Sequence, residues 1–342
     1  MSAQSQAMPH AQPSPMLFFE TINAYQRTNA LKAAIELELF TAVGEGATTP
    51  EAIALRCQAS VRGIRILADY LAVLGFITRN NGHYALTQDS AVFLDRRSPA
   101  YVGGAIGFLT DGRLLERFER LTDCVRKGGT VAPDGGTNEA ENPIWLEFAR
   151  YMGKLQSNVA EQIAQILHVD GAPRLKVLDI AAGHGMFGIT MAKHNPQAEI
   201  IAVDWPGVLQ VAREHAEQFG VGKQWRSIAG SAFEVDFGSG YDLALVTGFV
   251  HHFDAATNEK LLRRVKNALA PRGRAVIVEF VPNDDRVTPP PAAMFPLTML
   301  ASTAAGDAYT FPELKQMVSN AGFTSCELHN LVNNFQRVVV AG

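Results

Sequence analysis

The sequence predicts an α/β protein: a doubly wound, mostly parallel sheet that ends in an antiparallel hairpin, preceded by a smaller, mostly helical domain. Three patterns lead there. From residue 176 onward, strand-like and helix-like segments alternate, as parallel sheets require. A short apolar strand at 176–180 runs directly into a glycine turn and a helix. Ahead of these, helical patterns are followed by a short hairpin, the order of a winged helix.

Residues 1–14 are polar and contain proline, without a basic start followed by an apolar core, so they are read as a disordered tail and not a signal peptide. Residues 15–100 form the winged-helix domain. Apolar positions at three- and four-residue steps make 16–43 helical, and Gly44 and Gly46 stop it. Thr49 caps a helix that opens with Pro50, and Ser60 caps the next, which Gly75 ends. Asn81 and Gly82 turn a hairpin at 76–87. Its would-be recognition helix carries only Arg62 and Arg65 as cations, with Asp69 behind them, so protein–protein contact, as a homodimer, is expected over DNA binding.

Residues 101–170 are expected to supply helices at 101–127 and 143–167, separated by a Gly-, Pro- and Asn-rich loop, with a break at Gly171 and Pro173. Residues 171–342 then form the sheet domain. Strands are expected at 176–180, 199–203, 225–229, 241–247, 275–279, 324–331 and 335–340, with helices at 187–194, 208–219, 256–268 and 311–320. The turn at Asn333 and Asn334 makes the last two strands antiparallel to each other, which is unusual for a dinucleotide domain.

Bulk properties narrow the function. A net charge of −4 offers no basic field for nucleic acid or an anionic membrane. Three scattered cysteines argue against a disulfide framework and a cysteine zinc site, and fit a reducing, cytoplasmic setting. No apolar run reaches the ~18 residues a membrane span needs. No His, Asp and Glu triplet has metal-ligand spacing, so no metal is expected.

Gly183, Gly185 and Gly188 allow a tight turn and close approach to a ligand, and their literal spacing suits a dinucleotide pyrophosphate. Asp179, at the strand end before them, suits an ammonium group instead, as S-adenosylmethionine has and NAD lacks. Asp204 ends the second strand, where an acid accepts the ribose hydroxyls of either cofactor, and Trp205 stacks on the adenine or packs in the core. After the third strand, Ser231 offers a hydroxyl and Phe233 a flat face. His251 and His252 follow the fourth strand and Glu279 ends the fifth, close enough for the acid to accept a proton from one imidazole nitrogen and leave the other as a base. A neutral imidazole is too weak to strip a phenol beforehand, so the proton moves as the transition state forms.

Together these residues resemble the class I S-adenosylmethionine-dependent small-molecule methyltransferases with an N-terminal winged-helix dimerisation domain, which include the plant-type phenolic O-methyltransferases and their bacterial natural-product relatives. The resemblance spans 17–342. Residues 177–185 (VLDIAAGHG) are similar to the family's cofactor loop, with Ala181 where glycine is usual, and 204–206 (DWP) to its ribose and adenine motif. Residues 230–233 (GSAF) match a motif in which an acid is more usual than Ser231. Residues 250–253 (VHHF) match the catalytic histidine motif, with His252 replacing a common aspartate, and 275–279 (AVIVE) match the strand of its carboxylate partner.

The resemblance implies a Rossmann-like methyltransferase domain. It implies a cofactor site at Asp179, Ala181, Gly183, Gly185, Asp204, Trp205, Ser231, Ala232, Phe233 and Thr247, with S-adenosylhomocysteine as product. It implies His251 as base, oriented by Glu279. Ala308 stands where phenolic members carry a second carboxylate, so Asp307, one place earlier, either substitutes or leaves the histidine one partner. Residues 145–152 (WLEFARYM) are similar to a substrate-lining helix, which makes Phe148 and Met152 pocket candidates, together with Phe249, His252, Met294, Phe295 and Met299. The expected reaction is methyl transfer to a small aromatic acceptor, at oxygen first and at carbon or nitrogen as alternatives. An NAD(P)-dependent oxidoreductase and a winged-helix regulator with S-adenosylmethionine as ligand are the readings outside this class.

Overall fold

The computed structural model describes residues 13–132, 135–171 and 174–342; the tail expected at 1–14 lies outside these apart from Pro13 and Ser14, as does the break at Pro173. The chain divides into two compact units, Met1–Gly103 and Gly104–Gly342.

In the first unit, the stretch expected as one helix is three, Met16–Ile22, Ala24–Glu36 and Leu39–Gly44. The first break is at Asn23, whose side-chain amide donates back to the Phe19 carbonyl at 2.9 Å. The second is at Glu38, whose left-handed φ of 56° no helix can continue through. Thr49 and Ser60 cap the helices Pro50–Arg56 and Val61–Val73, accepting the N–H of Ala52 and Gly63. Strands β1 (Ile77–Asn80) and β2 (His83–Leu86) pair antiparallel across Asn81 and Gly82. Both turn residues have positive φ, the geometry that matches strand twist in a two-residue hairpin. This is the winged-helix order. Arg65 donates to Asp69 at 3.2 Å, and Asp69 also holds Arg79 and the Tyr84 hydroxyl, so that cation is bound up inside the unit. Leu17, Phe18 and Ile22 on the first helix are large apolar side chains left exposed.

The second unit is built on seven strands: β3 (Lys176–Ile180), β4 (Glu199–Asp204), β5 (Trp225–Ala229), β6 (Tyr241–Thr247), β7 (Leu269–Glu279), β8 (Cys326–Asn330) and β9 (Arg337–Ala341). Their order is β5-β4-β3-β6-β7-β9-β8. The first five are parallel, and β9 runs antiparallel to both β7 and β8. Side chains alternate between two cores. Val177, Leu243, Leu245, Val276 and Val278 face one, packed by helices Gly153–Leu167 and Met186–His194. Leu178, Ile180, Ala244, Val246 and Ile277 face the other, packed by helices Ala255–Ala268 and Phe311–Asn320. Burial on both sides is why these strands read as nearly continuous apolar runs.

The chain order reverses between β3 and β6, so the crevice beyond their C-terminal ends is the topological switch point where such sheets bind ligands. The helices expected at 101–167 belong to this unit and are more broken than their periodicity suggested. Asp111 caps Gly112–Glu119, and the chain restarts at Gly153 after Ile144–Tyr151.

Candidate active site

A cavity of about 580 Å³ opens at that switch point. Each parallel strand contributes residues at or just past its end: Ala181 to His184 after β3, Asp204 and Trp205 at the end of β4, Gly230 to Phe233 after β5, Thr247 to Phe249 and His251 to Phe253 at the end of β6, and Phe280 after β7.

The half of the cavity at the ends of β3 and β4 is organised by backbone hydrogen bonds. Gly183 N–H donates to Asp204 Oδ2 at 2.8 Å and Trp205 N–H donates to Oδ1 at 2.7 Å, which ties the ends of β3 and β4 together. Burial pushes the Asp204 carboxyl up to about 6, opposed by those two donors. Gly183 has a φ of 55°, and a Cβ there would sit 3.1 Å from the Phe148 ring, so a side chain would close the turn. His184 stacks on Phe148 at 5.6 Å between ring centres, and its Nδ1 accepts the Met186 N–H at 3.1 Å. Its proton therefore sits on Nε2. Burial holds it neutral, with a pKa near about 3.

The other half is centred on a histidine–carboxylate pair. His251 Nδ1 lies 2.6 Å from Glu279 Oε2, and the His251 backbone N–H donates to Oε1 at 3.3 Å. With Nδ1 facing a carboxylate, the ring proton sits there and Nε2 presents a lone pair. His251 lines the cavity, whereas Glu279 stands behind it at the end of β7. Phe295 meets the His251 ring edge-on at 4.9 Å and is itself stacked on Phe280 at 4.1 Å. Trp145 meets His252 edge-on at 5.1 Å, and its indole N–H is anchored on the Thr137 carbonyl.

Most of the residues singled out in the sequence converge here. Of the residues expected to hold the cofactor, Ala181, Gly183, Asp204, Trp205, Ser231, Ala232, Phe233 and Thr247 line the cavity. Phe148, Met152, Phe249, His251, His252, Phe295 and Met299 line it too.

Besides Glu279, which stands behind His251, four do not line the cavity. Asp179 shares a face of β3 with Val177, so it lies beneath the helix Met186–His194; its Oδ2 accepts the Gly188 N–H at 3.1 Å, and burial pushes its carboxyl up to about 8. Gly185 caps that helix and faces Trp225 and Ala212, 3.0 and 3.1 Å from an added Cβ. Met294 is 66% exposed, about 100° round the helix Pro290–Ser302 from Phe295. Asp307 turns its carboxylate towards Arg286, 3.8 Å away, and no contact joins it to His251. Glu279 is the carboxylate that His251 meets.

Sequence reasoning passed over Phe108, Leu115 and Phe118 on the broken helices, Asn138 and Glu139 in the loop before Pro143, Thr298 and Ser302, and Gln336. The i, i+4, i+7 recurrence of Phe295, Met299 and Ser302 was the one available signal.

The donor set suits S-adenosylmethionine. An acid preset by two backbone N–H groups lines the cavity, a glycine turn keeps the adjoining backbone bare, and Trp205 and Phe233 add aromatic surface to the same wall. Among the described residues, no group of three or more His, Cys, Asp or Glu side chains is placed to hold a metal ion, and no helix is long and apolar enough to cross a membrane.

Such a switch-point cavity, with a preset acid and a histidine–carboxylate pair, fits an S-adenosylmethionine-dependent methyltransferase of small molecules, and the family match shows that class. Residues 119–324 match the O-methyltransferase domain and 19–96 the O-methyltransferase dimerisation domain, and the chain belongs to that O-methyltransferase family. It dimerises through the N-terminal domain. The chain is 28% identical over 305 residues to the tetracenomycin polyketide synthesis 8-O-methyl transferase TcmO of Streptomyces glaucescens, covering 88% of this chain and 89% of that one. It is 27% identical over 336 residues to a 3-hydroxy-5-methyl-1-naphthoate 3-O-methyltransferase of Streptomyces sahachiroi, covering 96% and 95%. Among solved structures, a candidate O-methyltransferase from Nostoc punctiforme superposes with a TM-score of 0.93 at 52% identity, covering 96% of this chain and 99% of that one. Human N-acetylserotonin methyltransferase, solved with its cofactor, shares the fold at a TM-score of 0.82 and 21% identity, covering 98% and 99%.

Proposed function

We propose that the enzyme methylates a hydroxyl oxygen of a small aromatic acceptor, with His251 as general base and Glu279 as the residue that orients it. The observation that carries this reading is the 2.6 Å contact between His251 Nδ1 and Glu279 Oε2 at the wall of the cavity. S-adenosylmethionine supplies, when bound, an electrophilic methyl group on a sulfonium that needs no further activation. Asp204 accepts ribose hydroxyls, and Trp205 and Phe233 flank the adenine. Phe295, Phe249 and Met299 present flat or soft apolar surface to an aromatic ring beside His251. The acceptor hydroxyl donates to Nε2, and its proton passes to that nitrogen as the oxygen becomes nucleophilic. Glu279 stabilises the imidazolium through Nδ1.

The alternative of a carbon or nitrogen acceptor has no observation in its favour here. The test is to incubate the protein with labelled S-adenosylmethionine and a panel of naphthols and other phenols, then locate the new methyl group by NMR. A carbon- or nitrogen-bound methyl would sink the oxygen assignment. His251→Ala should lower kcat by about 10²–10⁴-fold, and full activity in that variant would remove His251 as base. Cys57, Cys124 and Cys326 are free thiols, which supports a cytoplasmic setting; recovery of the native protein from the secreted fraction would contradict it.

A further inference from the structure

We propose that Asn258 is a positioning residue for the base: its side-chain amide braces both ends of the turn that carries His251, and so holds the His251–Glu279 contact in place. The proposal rests on the reading of His251 as general base.

His251 stands in a short 3₁₀ turn, Val250–His252, between the end of β6 and the helix Ala255–Ala268. Such turns have poor hydrogen-bond geometry and hold their shape weakly on their own. Here the two internal bonds are long. His252 N–H reaches the Phe249 carbonyl at 3.2 Å, and Phe253 N–H reaches the Val250 carbonyl at 3.3 Å. Glu279 is placed independently, at the end of β7 and paired opposite Arg337 of β9. The 2.6 Å contact between His251 Nδ1 and Glu279 Oε2 therefore depends on where the turn puts the imidazole.

Asn258 spans that turn. Its Nδ2 donates to the Val250 carbonyl at 2.9 Å and to the Phe253 carbonyl at 3.1 Å, the residues on either side of the two histidines. Both bonds are shorter than the turn's own. The side chain springs from a fixed point, because the Asn258 N–H donates to the carbonyl of the helix cap, Asp254, at 3.0 Å. The Tyr309 hydroxyl donates to the same Phe253 carbonyl at 2.6 Å, so that end is held twice, whereas the Val250 end takes its side-chain bond from Asn258.

The energetics point away from a mere filler of space. Asn258 is 0% exposed, and both of its partners are carbonyls, so the amide must turn its NH₂ towards them. Oδ1 is left buried without a partner. An unpaired buried acceptor is destabilising, and asparagine forms helix less readily than leucine. An apolar residue of the same size would suit the helix and the core better. The amide is kept against that gradient, and both of its bonds go to the turn that carries the base.

The test uses the full-length protein labelled with ¹⁵N-histidine. NMR reads the Nδ1–H proton of His251, assigned by its loss in His251→Ala. Wild type should show this proton far downfield, as a short bond to a carboxylate requires. Asn258→Leu should move it upfield or lose it to exchange. With 2-naphthol as acceptor, kcat of Asn258→Leu should fall by about 10- to 10²-fold, as a slightly misplaced base implies. KM for 2-naphthol and the affinity for S-adenosylhomocysteine should stay within about twofold, and the melting temperature should hold or rise. Asn258→Asp, kept neutral by burial, can donate one bond instead of two, and should fall between wild type and Asn258→Leu in both readings. On a Glu279→Gln background Asn258→Leu should lower kcat by less than about twofold more, because both changes act through one ring. An unchanged signal in Asn258→Leu overturns the brace; should that variant not fold, an unchanged signal in Asn258→Asp does so. A kcat loss matched by losses of melting temperature and S-adenosylhomocysteine affinity, or repeated in full on the Glu279→Gln background, overturns the positioning role. Full activity in His251→Ala would instead remove the base assignment beneath the proposal, and the NMR signal would still report the brace by itself.

Discussion

Asp204 and Gly183 join the ends of two adjacent strands: Oδ2 of the acid accepts the glycine N–H at 2.8 Å, 21 residues apart in sequence. The carboxylate is thereby fixed before a ligand arrives, and burial raises its pKa to about 6. On the proposed reading, ribose hydroxyls donate to the ionised form, so cofactor binding must hold off the proton. Affinity for S-adenosylhomocysteine should rise by roughly tenfold between pH 5 and 7 and level off above. Asp204→Asn should weaken binding and flatten that profile in calorimetric titrations. A pH-dependent affinity retained in the variant would assign the titration to another group.

The Glu279 contact selects the His251 tautomer that places the proton on Nδ1. Glu279→Gln keeps the size of the side chain, but its amide can donate to Nδ1 and favour the other tautomer. It should lower kcat by about 10²-fold or more with little change in KM for the acceptor. An equal drop in acceptor affinity would mean that Glu279 shapes the pocket and does not orient the base.

His194 ends the helix Met186–His194 between two acids, Asp170 at 2.8 Å and Glu161 at 2.6 Å. Hydrogen bonds to Glu161 and then Asp170 raise its pKa above the usual imidazole value. A raised histidine pKa stabilises the fold fully below the unfolded value near ~6.5, and the benefit is lost as pH rises through the folded value. Both acids are more than a third exposed, so the effect is at most about 1 kcal/mol. His194→Gln should lower the melting temperature at pH 6 and leave it nearly unchanged at pH 9. A uniform loss across that range would assign the effect to packing.

Asp179 behaves in the same sense. Burial lifts its carboxyl to about 8, against ~3.9 in an unfolded chain. The proton is held more tightly in the folded state, so stability is greatest below pH ~4 and declines as pH rises towards 8. Asp179→Asn cannot ionise, and should raise the melting temperature of the cofactor-free protein at pH 8 more than at pH 5. The reverse order in a calorimetric scan would show that the ionised carboxylate is stabilised where it lies.

Gly188 has no space for a side chain. A Cβ there would stand 2.7 Å from Ile200 Cγ2 and 2.8 Å from Asp179 Oδ2. Gly188→Ala should destabilise by about 1–3 kcal/mol through overpacking, read as a lower denaturation midpoint. A neutral outcome would mean that the helix can slide outwards without cost.

Much of this was legible in the sequence. Parallel strands buried on both faces leave apolar runs such as 176–180 and 241–247, and alternation with helices then leaves few topologies. Ligands of such sheets gather at strand ends, so Asp204, His251 and Glu279 could be grouped from their positions in the chain. The winged helix was legible for a similar reason, since the Asn81–Gly82 turn and the Thr49 and Ser60 caps are local chemistry.

What the order of residues left open is the direction in which each side chain faces. Asp179 and Gly185 belong to the right turn, yet strand alternation and the path of the next helix aim them away from the cavity. Met294 and Phe295 are neighbours, and only the packing of their helix sends one to solvent and the other against His251. Asp307 is adjacent in sequence to the position where a second carboxylate was sought, and a long-range partner, Arg286, faces it instead. His252 and Ser302 lie 50 residues apart in the chain, and each is anchored through its backbone carbonyl by Asn138 and Thr137, contacts that no local pattern encodes. Local propensity and periodicity decide which elements form and which ends meet. Which side chains line the cavity depends on contacts distant in sequence, and those exist only once the chain has packed.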